Sequence, residues 1–270
     1  MNRFLARSQR FGSVGSTNDV VRDWLADGTP EVCLAIADEQ TAGRGREGRS
    51  WVASAGASLL LSLGFRPTWL APERAWQLAA VASLAMADAA ESVAGLDPGS
   101  IRLKWPNDLV VEADGTSARK LAGVLGETSG LGTRDPRVII GLGLNADWRA
   151  ADFPVELAPT MTSLREVSHG RPVDRIALAA EFVAGLQGRI GSLRGGRFDA
   201  AGWTARQLTT GRVIRIERPD GTAWTGRATG VDATSGALLV EDPDAPAGDR
   251  PVLVGEVAHV RLAAAATSGV

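Results

Sequence analysis

Ile101-Arg102-Leu103-Lys104-Trp105-Pro106-Asn107-Asp108 and its sequel Arg119-Lys120-Leu121-Ala122-Gly123-Val124-Leu125 decide how this chain is read. Residues 101–105 form a strand candidate, and Pro106-Asn107-Asp108 is a turn signal that reverses the chain straight after it. A polar loop over 112–119 leads Lys120 into the next strand candidate, 121–125, and a third follows at 138–144. Of 29 basic residues only Lys104 and Lys120 are lysine. Lysine is a compact point charge that seats against a phosphate or carboxylate, whereas arginine is a planar fork. In a hairpin-like pairing of the two segments, both ammonium groups converge on one mouth of the sheet. Asn107 then offers an amide to a ligand, and Asp108 either holds a magnesium-bound water or pins a lysine. The competing reading is a surface turn on which Lys104 pairs with Asp108, in a chain whose arginine bias left two lysines behind.

Outward from this stretch, helices and strands intermix. Ser16-Thr17-Asn18 precedes Val20, Val21, Trp24 and Leu25 at helical spacing, and Gly28 stops that helix. Short apolar strands are expected at 32–37 and 58–65. Pro72 at a first helical position, Glu73 behind it and Gly95 at the end bracket a helix of about six turns. Asp174 caps a helix that carries Ile176, Leu178, Phe182, Leu186 and Ile190 on one face. A further helix holds Phe198, Trp203 and Leu208. From Gly211 the texture changes to short strands at 212–217, 222–231, 237–241 and 257–262, with a hairpin turn at Asp220-Gly221 and a Pro-rich loop at 242–251. The expected organisation is a large domain over 1–210 and a small β-barrel-like domain over 211–270, frayed from 263 onward.

A net charge of -2 supplies no overall field toward nucleic acid or an acidic membrane, so any anion site has to be local. The single cysteine, Cys33, reads as a buried small hydrophobe in a reducing compartment. His169 and His259 lack cysteines or carboxylates at ligand spacing, so no structural metal site is read. The apolar run over 75–90 is interrupted by Gln77, Ser83 and Asp88, which makes it a core helix and not a membrane span. The N-terminus shows no signal segment. A cytoplasmic protein of enzyme size is expected.

Two further stretches carry chemistry. Gly43-Arg44-Gly45-Arg46-Glu47-Gly48-Arg49-Ser50-Trp51 combines a mobile backbone with three cations, which is suited to closing on an anion such as a polyphosphate or adenylate. Free of ligand, such a loop repels itself and is expected to be disordered. It is neither a Walker loop nor a dinucleotide fingerprint, since no Gly-Lys-Ser/Thr and no helix start follow. A solvated Arg-rich turn is the alternative. Gly141-Leu142-Gly143-Leu144-Asn145 reads as a strand whose glycines admit a flat ligand and whose Asn meets the edge of an adenine, or else as a β-bulge with an Asn turn.

Taken in order, Ser16-Thr17-Asn18, Gln40, Gly43-Arg44-Gly45-Arg46-x-Gly48-Arg49-x-Trp51, Lys104-Trp105-Pro106-Asn107-Asp108, Lys120-Leu121-Ala122-Gly123-Val124-Leu125-x-Glu127 and Gly141-x-Gly143-x-Asn145 resemble the biotin protein ligases. The resemblance covers about residues 12–208, and the tail resembles that family's SH3-like C-terminal domain. It implies an α+β fold: a mixed β-sheet with flanking helices, like class II aminoacyl-tRNA synthetases, plus a small SH3-like barrel. It also implies ATP with Mg2+ as cofactor, biotin as substrate, and a biotin carboxyl carrier protein or domain of an acyl-CoA carboxylase as partner.

Carried over by residue, the resemblance assigns the biotin ureido ring to Ser16, Thr17, Asn18 and Gln40. The loop Gly43, Arg44, Gly45 and Arg46 would close over biotin and the phosphates. Lys120 would bind the biotin carboxylate and α-phosphate, with Lys120 and Arg46 as the catalytic cations. Arg49 and Lys104 would lie by the nucleotide, Asn107 and Asp108 by its phosphates and magnesium, and Trp51 and Asn145 by adenine. The implied chemistry is biotinyl-5'-AMP formation followed by transfer to a carrier lysine. Some relatives carry a winged-helix domain ahead of the Ser-Thr-Asn segment. Here that segment begins at residue 16, so no DNA binding is expected. The rival of the same fold is a lipoate or octanoate ligase or transferase, whose Arg-Arg-x-x-Gly-Gly-Gly stretch is absent. A rival of another class is a nucleic-acid-binding module gripping through the arginine loop, which the net charge disfavours.

Overall fold

A computed structural model describes residues 4–113, 117–241, 248–257 and 259–262. Most of the Pro-rich loop expected at 242–251 and all of the ending 263–270 lie outside the described residues. The larger part of the chain runs β1 (Arg7–Val14), α1 (Thr17–Ala26), β2 (Cys33–Gln40), β3 (Ser58–Phe65), α2 (Trp76–Ala94), β4 (Ile101–Lys104), β5 (Asp108–Glu112), β6 (Ala118–Ser129), β7 (Arg137–Asn145), α3 (Leu164–Val167), α4 (Arg175–Arg194) and α5 (Ala200–Ala205). Seven strands form one sheet in the order β1-β2-β3-β7-β6-β5-β4. The β1–β2 pair is parallel and the others are antiparallel, so the sheet is mixed as expected.

The middle of this sheet explains its two faces. Side chains alternate along a strand. On β7, Val138, Ile140, Leu142 and Leu144 join the main core with α2 and α4, whereas Ile139 joins a smaller cluster with Val21, Trp24 and Leu25 of α1. Gly141, Gly143 and Asn145 share the Ile139 face, where the missing Cβ atoms let Asn18 and Trp51 approach the strand. On the core side, α2 packs on α4, and Gly185 lies against Ala85 where the two helices meet. Gly95 ends α2 in the left-handed region, with φ 61°, and Asp174 caps α4 by accepting from the amides of Ile176 and Ala177.

Three expectations need correction, and one strand has no signal in the sequence. Phe198 and Leu208 lie outside the helix expected to hold them, which as α5 carries only Trp203 of the three. Ile176 is 67% exposed while Leu178, Phe182, Leu186 and Ile190 are buried, because two residues are about 200° around a helix. The strands carrying the two lysines are not paired directly. Asp108–Glu112 forms the intervening strand β5, giving a meander in which Lys104 faces Asp108 and Val110 faces Lys120. β1 carries no apolar signal because most of its side chains are exposed, and its backbone is held by the parallel ladder to β2.

Beyond α5 come β8 (Val213–Glu217), β9 (Ala223–Val231), β10 (Leu238–Val240), β11 (Arg250–Val252) and β12 (His259–Leu262). They form an antiparallel sheet in the order β11-β10-β9-β8-β12. No pairing joins β11 to β12 among the described residues, so what the structure shows of the expected barrel is a five-stranded sheet. Two indoles fasten it to the rest. Trp105 Nε1 donates to the Gly236 carbonyl at 3.0 Å and Trp76 Nε1 to that of Thr234 at 3.4 Å. Among the described residues no helix is long and apolar enough to cross a membrane.

The join between α1 and the sheet is testable at Gly64. A Cβ there would lie 2.5 Å from Cys33 Sγ and 2.7 Å from Val21 Cγ1. Gly64→Ala should therefore lower unfolding free energy by about 1–3 kcal/mol through overpacking. Urea denaturation should show a lower midpoint at unchanged slope; an unchanged midpoint would refute this packing.

Candidate active site

On the glycine-bearing face of the large sheet lies a cavity of about 250 Å³. Its walls are the start of α1, the arginine loop, the β4–β5 turn, β6, β7 and β12. Every sequence-predicted site residue except Gly43 lines it.

At one end Ser16, Thr17, Asn18 and Gln40 line the cavity with neutral polar groups. Ser16 is the N-cap position of α1, and Ser16, Thr17 and Asn18 are buried. The Thr17 amide donates to Gln40 Oε1 at 2.7 Å. Thr17 Oγ1 lies 3.0 Å from that same oxygen and 2.7 Å from Ser62 Oγ, and Ser62 donates to Asn18 Oδ1 at 2.5 Å. Asn18 Nδ2 in turn donates to Glu127 Oε1 at 2.9 Å. Ser62 spends its single proton on Asn18, so the Thr17 proton serves Gln40 or Ser62 but not both. The Asn18 amide is thus engaged at both ends, which makes it a brace between α1, β3 and β6. Ser62 is the residue of this end that no sequence motif contains; Glu127 closes the Lys120 motif, which assigns it no role.

The loop takes one defined conformation in the structure. It closes as a small hairpin, with Gly45 N donating to Arg49 O and Trp51 N to Gly43 O. Gly43 has to be glycine here, since a Cβ would lie 2.6 Å from the Trp51 carbonyl. Self-repulsion is relieved because each guanidinium has its own acceptor. Arg44 binds Asp19 through two contacts of 2.6 and 2.8 Å, which hold the Asp19 carboxyl down to about 2. Arg49 Nε donates to the Arg46 carbonyl. Arg46, with only 11% of its side chain exposed, donates to the carbonyls of Val254 and Val257, each at 2.8 Å. Burial pushes its pKa down, and among the described residues no carboxylate comes closer than Glu47 at 3.9 Å.

Around the β4–β5 turn the cations gather. Lys120 Nζ lies 2.6 Å from Asp108 Oδ1 and Lys104 Nζ 3.9 Å from Asp108 Oδ2. The lysines converge as the turn suggested, and on the same carboxylate. Burial lowers the Lys104 pKa, against the pull of Asp108. Asn107 braces the turn, donating from Nδ2 to Val124 O. The Trp51 ring covers the sheet between the cations and β7; a Cβ at Gly143 would lie 2.6 Å from it, and one at Gly123 3.1 Å. Its Nε1 is buried without a partner among the described residues, a donor whose desolvation calls for a ligand acceptor. Asn145 borders the cavity but donates Nδ2 to the Thr162 carbonyl. His259 of β12 also lines the cavity and has no signal in the sequence, because no motif surrounds it.

The brace at Asn18 can be broken in a diagnostic way. Asn18→Ala should cost about 1–3 kcal/mol by leaving Ser62 and Glu127 each one hydrogen-bond partner short. Asn18→Asp should cost more near neutral pH, since it sets a second carboxylate against Glu127. That excess should shrink on acidification as the pair takes up a proton. Thermal melts across pH check this, and equal losses at every pH would contradict the assignment.

A model of the Biotin/lipoate A/B protein ligase family matches residues 11–145, the span from β1 through the loop to the end of β7. The chain is 36% identical over 252 residues to the biotin–[acetyl-CoA-carboxylase] ligase of Mycobacterium tuberculosis, a match covering 92% of this chain and 86% of that protein. Against the enzyme of the same name from Paracoccus denitrificans it is 33% identical over 236 residues, covering 86% and 92%. In fold it is similar to the biotin protein ligase of Aquifex aeolicus solved with biotin and ATP. The TM-score is 0.77 at 24% identity, over 95% of this chain and 99% of that one. The relatives match along most of both chains, and the family model spans the strands and loop that wall the cavity apart from β12; this chain belongs to the biotin/lipoate A/B protein ligase family, among its biotin protein ligases.

Proposed function

We propose that the chain is an ATP-dependent biotin protein ligase, which activates biotin to biotinyl-5'-AMP and passes the biotinyl group to a lysine of a carboxylase carrier domain. One observation carries the reading of the site: a neutral hydrogen-bonding end at Thr17 and Gln40 shares one cavity with the cationic end of Arg46, Arg49, Lys104 and Lys120. A ureido ring needs the first and two reacting anions need the second.

In the first step a biotin carboxylate oxygen attacks the α-phosphorus of ATP, and the bond to the pyrophosphate oxygen breaks. Both reactants are negative, so repulsion is a large part of the barrier. Lys120 and Arg46 are assigned to neutralise it and to hold the charge that builds on the transferring phosphate. Trp51 and the Gly123–Gly143 floor are assigned to the flat groups, and Asn145 to the adenine border. Asp108 is already occupied by two ammonium groups. A magnesium ion therefore fits as part of the incoming nucleotide near Asn107 and Asp108, where it would shield phosphate charge. In the second step the uncharged amine of the carrier lysine attacks the mixed anhydride carbonyl and AMP leaves, so the chain itself supplies no nucleophile. We place the catalytic domain at 1–210 and the C-terminal domain at 211–270, and the enzyme in the cytoplasm, in keeping with its buried lone thiol.

Incubating the purified chain with ATP, labelled biotin and a carrier domain tests the reading, with octanoate and lipoate in parallel. Biotin-dependent pyrophosphate release and label on the carrier are expected; transfer of octanoate or lipoate instead would assign the chain to its lipoyl-ligating relatives.

Lys120→Ala should slow adenylate formation about 10²–10³-fold, on the scale of a lost oxyanion donor. Transfer from supplied biotinyl-5'-AMP should fall much less, and equal loss in both half-reactions would make Lys120 structural. Arg46→Ala should increase escape of the adenylate into solution, measured as free biotinyl-5'-AMP per turnover. Unchanged escape would mean that the loop does not seal the site.

A further inference from the structure

We propose that His259, carried by β12 of the C-terminal sheet, is a polyphosphate ligand of this site, so that the anionic end of the nucleotide is gripped from both sheets at once. The proposal rests on the adenylating reading above and adds to it a residue from outside the catalytic motifs.

His259 and Val260 line the same cavity as Lys104, Lys120 and Arg49. β12 is held antiparallel to β8, with His259 opposite Glu217 in register. The segment just before β12 is fixed to the loop, because Arg46 donates to Val254 O and Val257 O. The imidazole is half-buried and lies within the electrostatic reach of charges on several elements: Arg49 from the loop, Lys104 from β4, Arg261 from its own strand and Glu217 from β8. Burial first, and then the three cations, keep the imidazole below its usual pKa against the opposing pull of Glu217.

An imidazole among cations gains nothing for stability by being there, but it suits a site that waits for several negative charges. A bound polyphosphate reverses the local field. The ring then takes a proton from solvent, and both nitrogens become donors to phosphate oxygens. The pKa of the complex is raised above that of the free protein. Affinity should therefore increase as pH falls through the complex's pKa, and level off below the free value.

Calorimetric titration of the full chain with ATP and with inorganic tripolyphosphate, in buffers of different ionisation enthalpy between about pH 6 and about pH 8, counts the protons taken up. Wild type should take up a proton that His259→Gln does not, and the variant should bind tripolyphosphate roughly tenfold more weakly, as for a lost charge-assisted hydrogen bond. His259→Arg should keep the affinity without proton uptake. Equal affinity and equal uptake in wild type and His259→Gln would overturn the proposal. Biotin-dependent pyrophosphate release by the same wild-type sample separates the two levels: its absence would sink the functional reading, whereas its presence with an unchanged His259→Gln titration would sink this inference alone.

Discussion

Along β7 the chain alternates between Val138, Ile140, Leu142 and Leu144 beneath α2, and Ile139, Gly141, Gly143 and Asn145 on the other face. A strand in the middle of a sheet has only these two faces, and here one of them packs into the main core while the glycines of the other make room for Asn18 and the Trp51 ring beside the cavity. Four branched aliphatic side chains, each contributing about 1.5–3 kcal/mol when fully buried, outweigh the roughly 0.5–1 kcal/mol that each glycine costs in an ordered segment. The cavity depends on that imbalance. Branched residues at Gly141 and Gly143 would collide with Asn18 and with the Trp51 ring, so the brace and the indole plate exist because those Cβ atoms do not.

The second constraint is electrostatic. Arg46, Arg49, Lys104 and Lys120 share a partly enclosed space with Asp108. At an effective dielectric near 20, two unit charges 4 Å apart interact by about 4 kcal/mol, several times the value in water. Asp108 balances part of that repulsion by standing between the lysines. Arg46 is removed from it by the carbonyls of the C-terminal segment. These arrangements compensate the cations without neutralising them, and the site keeps a positive excess for an incoming anion. The C-terminal sheet is therefore part of the site's charge balance as well as an appendage tied down by Trp76 and Trp105.

Much of this is legible in the amino-acid sequence alone. The helix at Ser16-Thr17-Asn18, β3 at 58–65, the glycine stop at Gly95 and the Asp174 cap all follow from local signals, and the motif residues converge on one cavity as their order suggests. What stays hidden depends on distant partners. β1 is exposed along most of its length and exists by its ladder to β2. β5 is a short strand between a turn and a loop, so its Leu109 and Val110 lack a visible period. Ser62 and Glu127 act on Thr17 and Asn18 across 44 to 109 residues of chain, and His259 reaches the cavity from the second sheet. No window along the sequence contains those contacts. The loop differs again: its charges are plain in the sequence, but their acceptors on α1 and at Val254 and Val257 are not.

The distribution of lysine and arginine gains a physical sense from this geometry. A mixed anhydride of biotin reacts with an uncharged amine, so any lysine near it is a hazard unless it stays protonated and fixed. Guanidinium groups do not lose their proton under such conditions, and they make up 27 of the 29 cations. Lys104 is the exposed point of this arrangement, since burial drives it toward the neutral, nucleophilic form. Asp108 opposes that drive directly, and at 2.6 Å it also fixes the Lys120 ammonium. One carboxylate between two lysines thus pairs with Lys120 and opposes the effect of burial on Lys104.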